Sequence, residues 1–162
     1  MDEAGVRTVG DAFKTLFHEL HDKLREQVRG LDQGTLNWRP LPKANSIAVL
    51  VTHSLGSERE MIRAVRSVAS DRDRDSEFKV EAEAADLLGL LDQADRELDE
   101  HLAGLTVEDL TQDRPRKDQE PKPGLLWLIS LRRCPSGAAP PALPLRRCPS
   151  GAAPPALRAT SP

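Results

Sequence analysis

Three long stretches of this chain carry apolar side chains at spacings of three and four, and each is closed by glycine, proline or a run of charge. That period belongs to helices, because it gathers one face of a 3.6-residue turn, whereas a half-buried strand alternates every second residue. The first stretch predicts a helix from about Val9 to Gly30, with Phe13, Leu16, Phe17, Leu20, Leu24 and Val28 as its stripe. The second predicts a helix from Ile47 to about Ala69, on Ile47, Leu50, Val51, Ser54, Met61, Ile62, Val65 and Val68. Its opening "IAVLV" is apolar on every side, so this end is expected to be buried all round. A third helix is predicted from about Glu81 to Ala103, carried by Leu87, Leu88, Leu91, Leu98 and Leu102 and stopped by Gly104.

The connections are of another kind. "LDQGTLNWRPLPKANS" has Pro40 and Pro42 to prevent a helix, and Asn45 or Ser46 to cap the next one. "DRDRDSE" reads as a solvated linker of mixed charge, without the glycine and terminal glutamate of a calcium loop. "LTVEDLTQDRPRKDQEPKPG" is a further proline-punctuated connection, after which residues 125–130, "LLWLIS", begin a fourth helix. The fold expected is therefore all-α: an up-down bundle of three long helices and a short or incomplete fourth. Scarce aromatics (three Phe, two Trp, no Tyr) suit this better than a β-sandwich.

The two proline-bearing connections resemble one another. Each starts Gly-Leu, holds an Arg-Pro, and leads into an apolar helix, as if one helical hairpin were written twice. Aligning Ser46 with Gly124 places His53 opposite Leu131, where the second copy breaks off. From Leu131 the phrase "LRRCPSGAAPPALP" is followed at once by "LRRCPSGAAPPALR". Residues 131–162 hold eight prolines, five arginines and no acid, and are expected to be a disordered tail beside a bundle domain of residues 1–130. The body keeps all 26 acidic residues and 18 of the 23 basic ones, a net charge of −8. An acidic body argues against nucleic-acid binding, and no stretch reaches the length of a membrane span or a secretion signal. The expected setting is the cytoplasm. Cys134 and Cys148 occupy the same place in each tail copy, which marks them as products of duplication rather than a disulfide framework.

Four histidines are the only imidazoles. His18 and His21 form a His-x-x-His pair on a helix side expected to border solvent, and are read as surface residues beside Glu19 and Asp22. His101 ends the third helix, where it suits the helix dipole and is the one substitute metal ligand on offer. Ser54 follows His53 but points to another side of the helix, so it is no nucleophile for that base. Trp38 and Trp127 are expected in core or lid packing.

The order "LNWRPLPKANSIAVLVTHSLGSEREMI", then a hairpin ending "LAGLTVEDL", then "GLLWLIS", resembles the DinB/YfiT-like superfamily over about residues 8–130. The resemblance implies a four-helix bundle holding a divalent metal, zinc or nickel, on three histidines. One comes from the second helix and two from a His-x-x-x-His on the last. It further implies metal-dependent chemistry with small thiols or water, of transferase, isomerase or hydrolase type. His53 matches the second-helix ligand, while Trp38, Pro40, Asn45 and Ser46 match the loop and cap before it. No His follows His101, so the other two ligands have no counterpart. Read one base later, codons for "PSGAAPPAL" permit His-Leu-Gly-Gln-Leu-His-Leu, and a shifted frame would explain where the pattern stops.

The expectation is thus a bundle with an incomplete metal site, binding metal weakly or not at all, with little or no catalysis. If about four large side chains lose their partners with the fourth helix, about 6–12 kcal/mol is forfeited, against about 5–15 kcal/mol for a whole domain. An exposed apolar groove and a homodimer follow from that. The alternative function is a non-catalytic interaction module that dimerises or binds a partner through this groove.

Overall fold

Asp2 accepts a hydrogen bond from the Gly5 N–H at 2.9 Å and so starts the first helix ahead of its apolar stripe. The computed structural model describes residues 1–116 and 119–131. Its elements are α1 (Glu3–Val28), α2 (Gln33–Asn37), α3 (Ile47–Val65), α4 (Arg74–Glu77) and α5 (Ala84–Ala103), then α6 (Val107–Thr111), β1 (Asp113–Arg116), β2 (Gln119–Pro123) and α7 (Gly124–Leu131). The three long helices and the short last one stand where the periodicity placed them. α3 ends at Val65 rather than Ala69, because Ser67 takes a left-handed φ of 54° and leaves Val68 exposed. The expected tail lies outside the described residues, apart from Leu131.

Helices α1 and α3 pack against α5, and α7 packs against α3. The core has two clusters. One gathers Val6, Phe17, Met61, Ile62, Leu98 and Trp127 with their neighbours; the other gathers Val28, Leu36, Val51, Leu55, Leu87 and Leu91. On each of α1, α3 and α5 a polar residue of one shared layer stands between the two clusters: His21, Glu58 and Asp95.

The hairpin repeat survives in three dimensions. A long helix, a five-residue helix and a second apolar helix occur as α1–α2–α3 and again as α5–α6–α7. Asp32 caps α2 and Thr106 caps α6, the latter in a reciprocal capping box with Asp109. At the start of the last helices the copies differ. Ser46 caps α3, its hydroxyl accepting from the Val49 N–H at 3.3 Å. Gly124 stands at the matching point of α7, where a Cβ would lie 1.9 Å from the Asp109 carbonyl oxygen.

The proline-rich stretch before α7 is more than a connection. β1 and β2 pair antiparallel, Asp113 with Pro123 and Arg114 with Lys122. The Trp127 indole N–H donates to the Arg114 carbonyl at 2.9 Å, and Arg116 and Lys122 lie over its ring at 5.5 and 5.0 Å. Trp127 is fully buried, as expected of a core residue.

Four expected core positions are not in the core, Val68 among them. Leu20 is exposed because the true stripe of α1 runs Val6, Gly10, Phe17, His21 and Val28, with His21 seated one residue past it. Leu50 is 46% exposed, so the start of α3 is not buried all round, and Ser54 on the same side also faces outward. No helix among the described residues is long and apolar enough to cross a membrane.

Candidate functional site

Ser46 fixes the start of α3, and His53 follows two turns later, buried. Its Nδ1 lies 2.8 Å from Glu77 Oε2. Arg72 holds the same carboxylate by two bonds, Nε to Oε1 at 2.6 Å and Nη2 to Oε2 at 2.8 Å. The Arg72 Nη2 also reaches the His53 carbonyl at 3.4 Å, and Phe78 lies against the imidazole with centroids 4.8 Å apart. Gly56, one turn beyond His53, makes room for this: a Cβ there would stand 2.1 Å from Glu77 Oε1.

The charge-assisted contact to Glu77 is the shorter and stronger one at Nδ1, so in a neutral ring that nitrogen donates and Nε2 keeps its lone pair. A carboxylate behind Nδ1 is the support that a metal-binding histidine ordinarily has. Arg72 Nη2 stands 3.3 Å from the same Nδ1, behind the ring, its charge matched by its two bonds to Glu77. The rest of the surroundings do not match. Among the described residues no three His, Cys, Asp or Glu side chains converge on a point where a metal could sit. The described residues alone therefore make no metal site, since they bring one imidazole to it.

Gly124 packs beside Val65, and α7 packs against α3.

The sequence model of the DinB superfamily matches residues 16–131. The chain belongs to the DinB superfamily. No curated protein sequence matches it.

Within this DinB bundle the expected site residues have separate fates. Ser46 is the cap, and Asn45 sits half-buried before it. Pro40 is exposed, and Trp38 is 66% exposed, so Trp38 is not a core residue. His101 lies in the last turn of α5, on the wall of a cavity of about 240 Å³ shared with Thr52, Gly56, Arg59, Glu77 and Glu97. No hydrogen bond or ion pair among the described residues joins it to His53. Burial, then the charges of Arg66 and Arg63, push its pKa down, so it is neutral at pH 7 and gives the helix end no full charge.

Two readings of the DinB sequence are corrected. "DRDRDSE" is not wholly solvated, because Asp73 caps α4 and Glu77 is buried against His53. His21 is not a surface residue. It is 1% exposed, with Nδ1 2.6 Å from Asp95 Oδ1 and Nε2 3.0 Å from Glu58 Oε2. Only His18 lies at the surface, paired with Asp99 at 2.9 Å. Glu77, Arg72, Glu58 and Asp95 were all missed from sequence. The one local signal was Gly56 in the middle of a helix, where glycine costs stability and so calls for a packing reason.

Proposed function

We propose that this DinB-superfamily chain is a helical bundle with an incomplete metal centre. His53 is its one imidazole of ligand type, zinc or nickel binds weakly or not at all, and family-type chemistry with small thiols or water is absent. The observation that carries the proposal is that His53 is backed at Nδ1 by Glu77 and Arg72, while among the described residues no further ligand side chains converge with it. The sequence adds that no histidine follows His101. Equilibrium dialysis of the full chain against zinc and nickel should retain well under one ion per chain, unchanged in His53→Ala. One ion per chain, lost in His53→Ala, would overturn it.

A second reading is favoured by the exposure of Leu50 on α3 and of Leu126 and Ile129 on α7, two helices that pack together. In that reading the chain is a non-catalytic module whose apolar side takes a second copy. Light scattering after size exclusion should then give a dimer that Leu50→Glu weakens, and a stable monomer would remove this reading.

A further inference from the structure

The polar layer between the two core clusters plays no part in the proposed site, yet it is built from three helices at once. His21 on α1 meets Glu58 on α3 and Asp95 on α5, with one carboxylate oxygen at each ring nitrogen. A neutral imidazole has one N–H and one lone pair. Whichever tautomer it took, a lone pair would face a carboxylate oxygen at 2.6 or 3.0 Å, buried and repulsive. With both acids ionised, only the doubly protonated ring satisfies both partners. We propose that His21 is held as a buried imidazolium, a polar buckle that ties α1 to α3 and α5 between two apolar clusters and opens when the chain is made alkaline.

The surrounding charges agree. From α3 the ring faces Glu58, and from α5 it faces Asp95, with Asp92 and Asp99 one turn to either side. From α1 come Arg25, bonded to the second oxygen of Asp95 and to Asp92 at 2.8 Å, and His18, paired with Asp99, which Lys14 also reaches at 3.1 Å. Arg25 opposes a second positive charge nearby, but Asp92 and Asp95 already match it. Phe17 closes the apolar side, its ring centroid 6.4 Å away. Burial works to lower the pKa of His21, but the bonds and charges of Glu58 and Asp95 together outweigh it and raise it above the ordinary 6.5. Because the folded value lies above the unfolded one, the buckle's contribution is complete below about pH 6.5 and is lost as pH rises through the folded value.

The test is imidazole ¹⁵N spectroscopy of the labelled full chain, with thermal melts across the same pH range. At neutral pH His21 should show two protonated ring nitrogens and titrate above the ordinary 6.5. The melting temperature should begin to fall through its midpoint. Glu58→Gln should lower that midpoint by about one pH unit. A bare ring nitrogen on His21 at neutral pH, or melts indifferent to its titration, would overturn the proposal. The wild-type spectrum decides even if the variant fails to fold.

Discussion

His21 and His53 are both buried, both lie on long helices, and both touch carboxylates, yet the two sites are built for opposite ends. At His21 each ring nitrogen meets an acid, and the acids come from two other helices, so the ring has nothing left to offer a ligand. At His53 one nitrogen meets Glu77, from a four-residue helix in the adjoining connection, and the other has no hydrogen bond among the described residues. A ring bonded on both sides is a structural part. One bonded on a single side keeps its other nitrogen for a further partner. The difference teaches that burial and a carboxylate do not by themselves mark a functional histidine: what separates the two is the second nitrogen.

The comparison can be broken in order of expected effect. Removing the ring in His21→Ala leaves Glu58 and Asp95 without their shared partner in the core. It should cost about 3–5 kcal/mol in urea unfolding, as for one member of a buried ion pair. The loss should be large at pH 6 and smaller at alkaline pH, where the wild type has already shed the same proton. The acid side of the window has the opposite sign. Burial would raise the pKa of Asp95, but His21 and then Arg25 hold it below 3.8, so its contribution is present above that value and lost as pH falls through the folded one. Stability should therefore peak between these limits. Loss of the acid at the second site, Glu77→Ala, should cost about 1–3 kcal/mol by stranding His53 Nδ1 and Arg72. If it costs more than His21→Ala, the ranking of the two sites is wrong. Trp38→Ala, in the loop before α3, should change stability by less than about 0.5 kcal/mol, since the indole is mostly in water.

What could be read from sequence divides along the same line. The apolar periods of α1, α3 and α5 are local and strong, whereas the five-residue α2 and α6 lie inside segments that read only as connections. His21 was misplaced because a polar residue inside an apolar stripe looks like the edge of the stripe, and Leu20 was taken to fill its seat. Nothing near His21 names Glu58 or Asp95, whose charges become tolerable in the core only once three helices meet. Glu77 was missed for a related reason: within "DRDRDSE" it looks solvated, and only Arg72, His53 and the gap at Gly56 make its burial affordable. The β1–β2 hairpin depends on a ladder between two proline-bearing segments, which composition argues against. His53 was found because a resemblance pointed to it, and its immediate neighbours were not.

The most direct test of the central claim is a cobalt(II) titration of the full chain, followed by visible absorption. Cobalt held by three protein ligands at low coordination number gives intense bands, whereas the hydrated ion is almost colourless. The account predicts a spectrum that stays that of hydrated cobalt in the wild type and in His53→Ala alike. Intense bands saturating at one cobalt per chain and vanishing in His53→Ala would contradict it, and would mean that the residues beyond Leu131 complete the site.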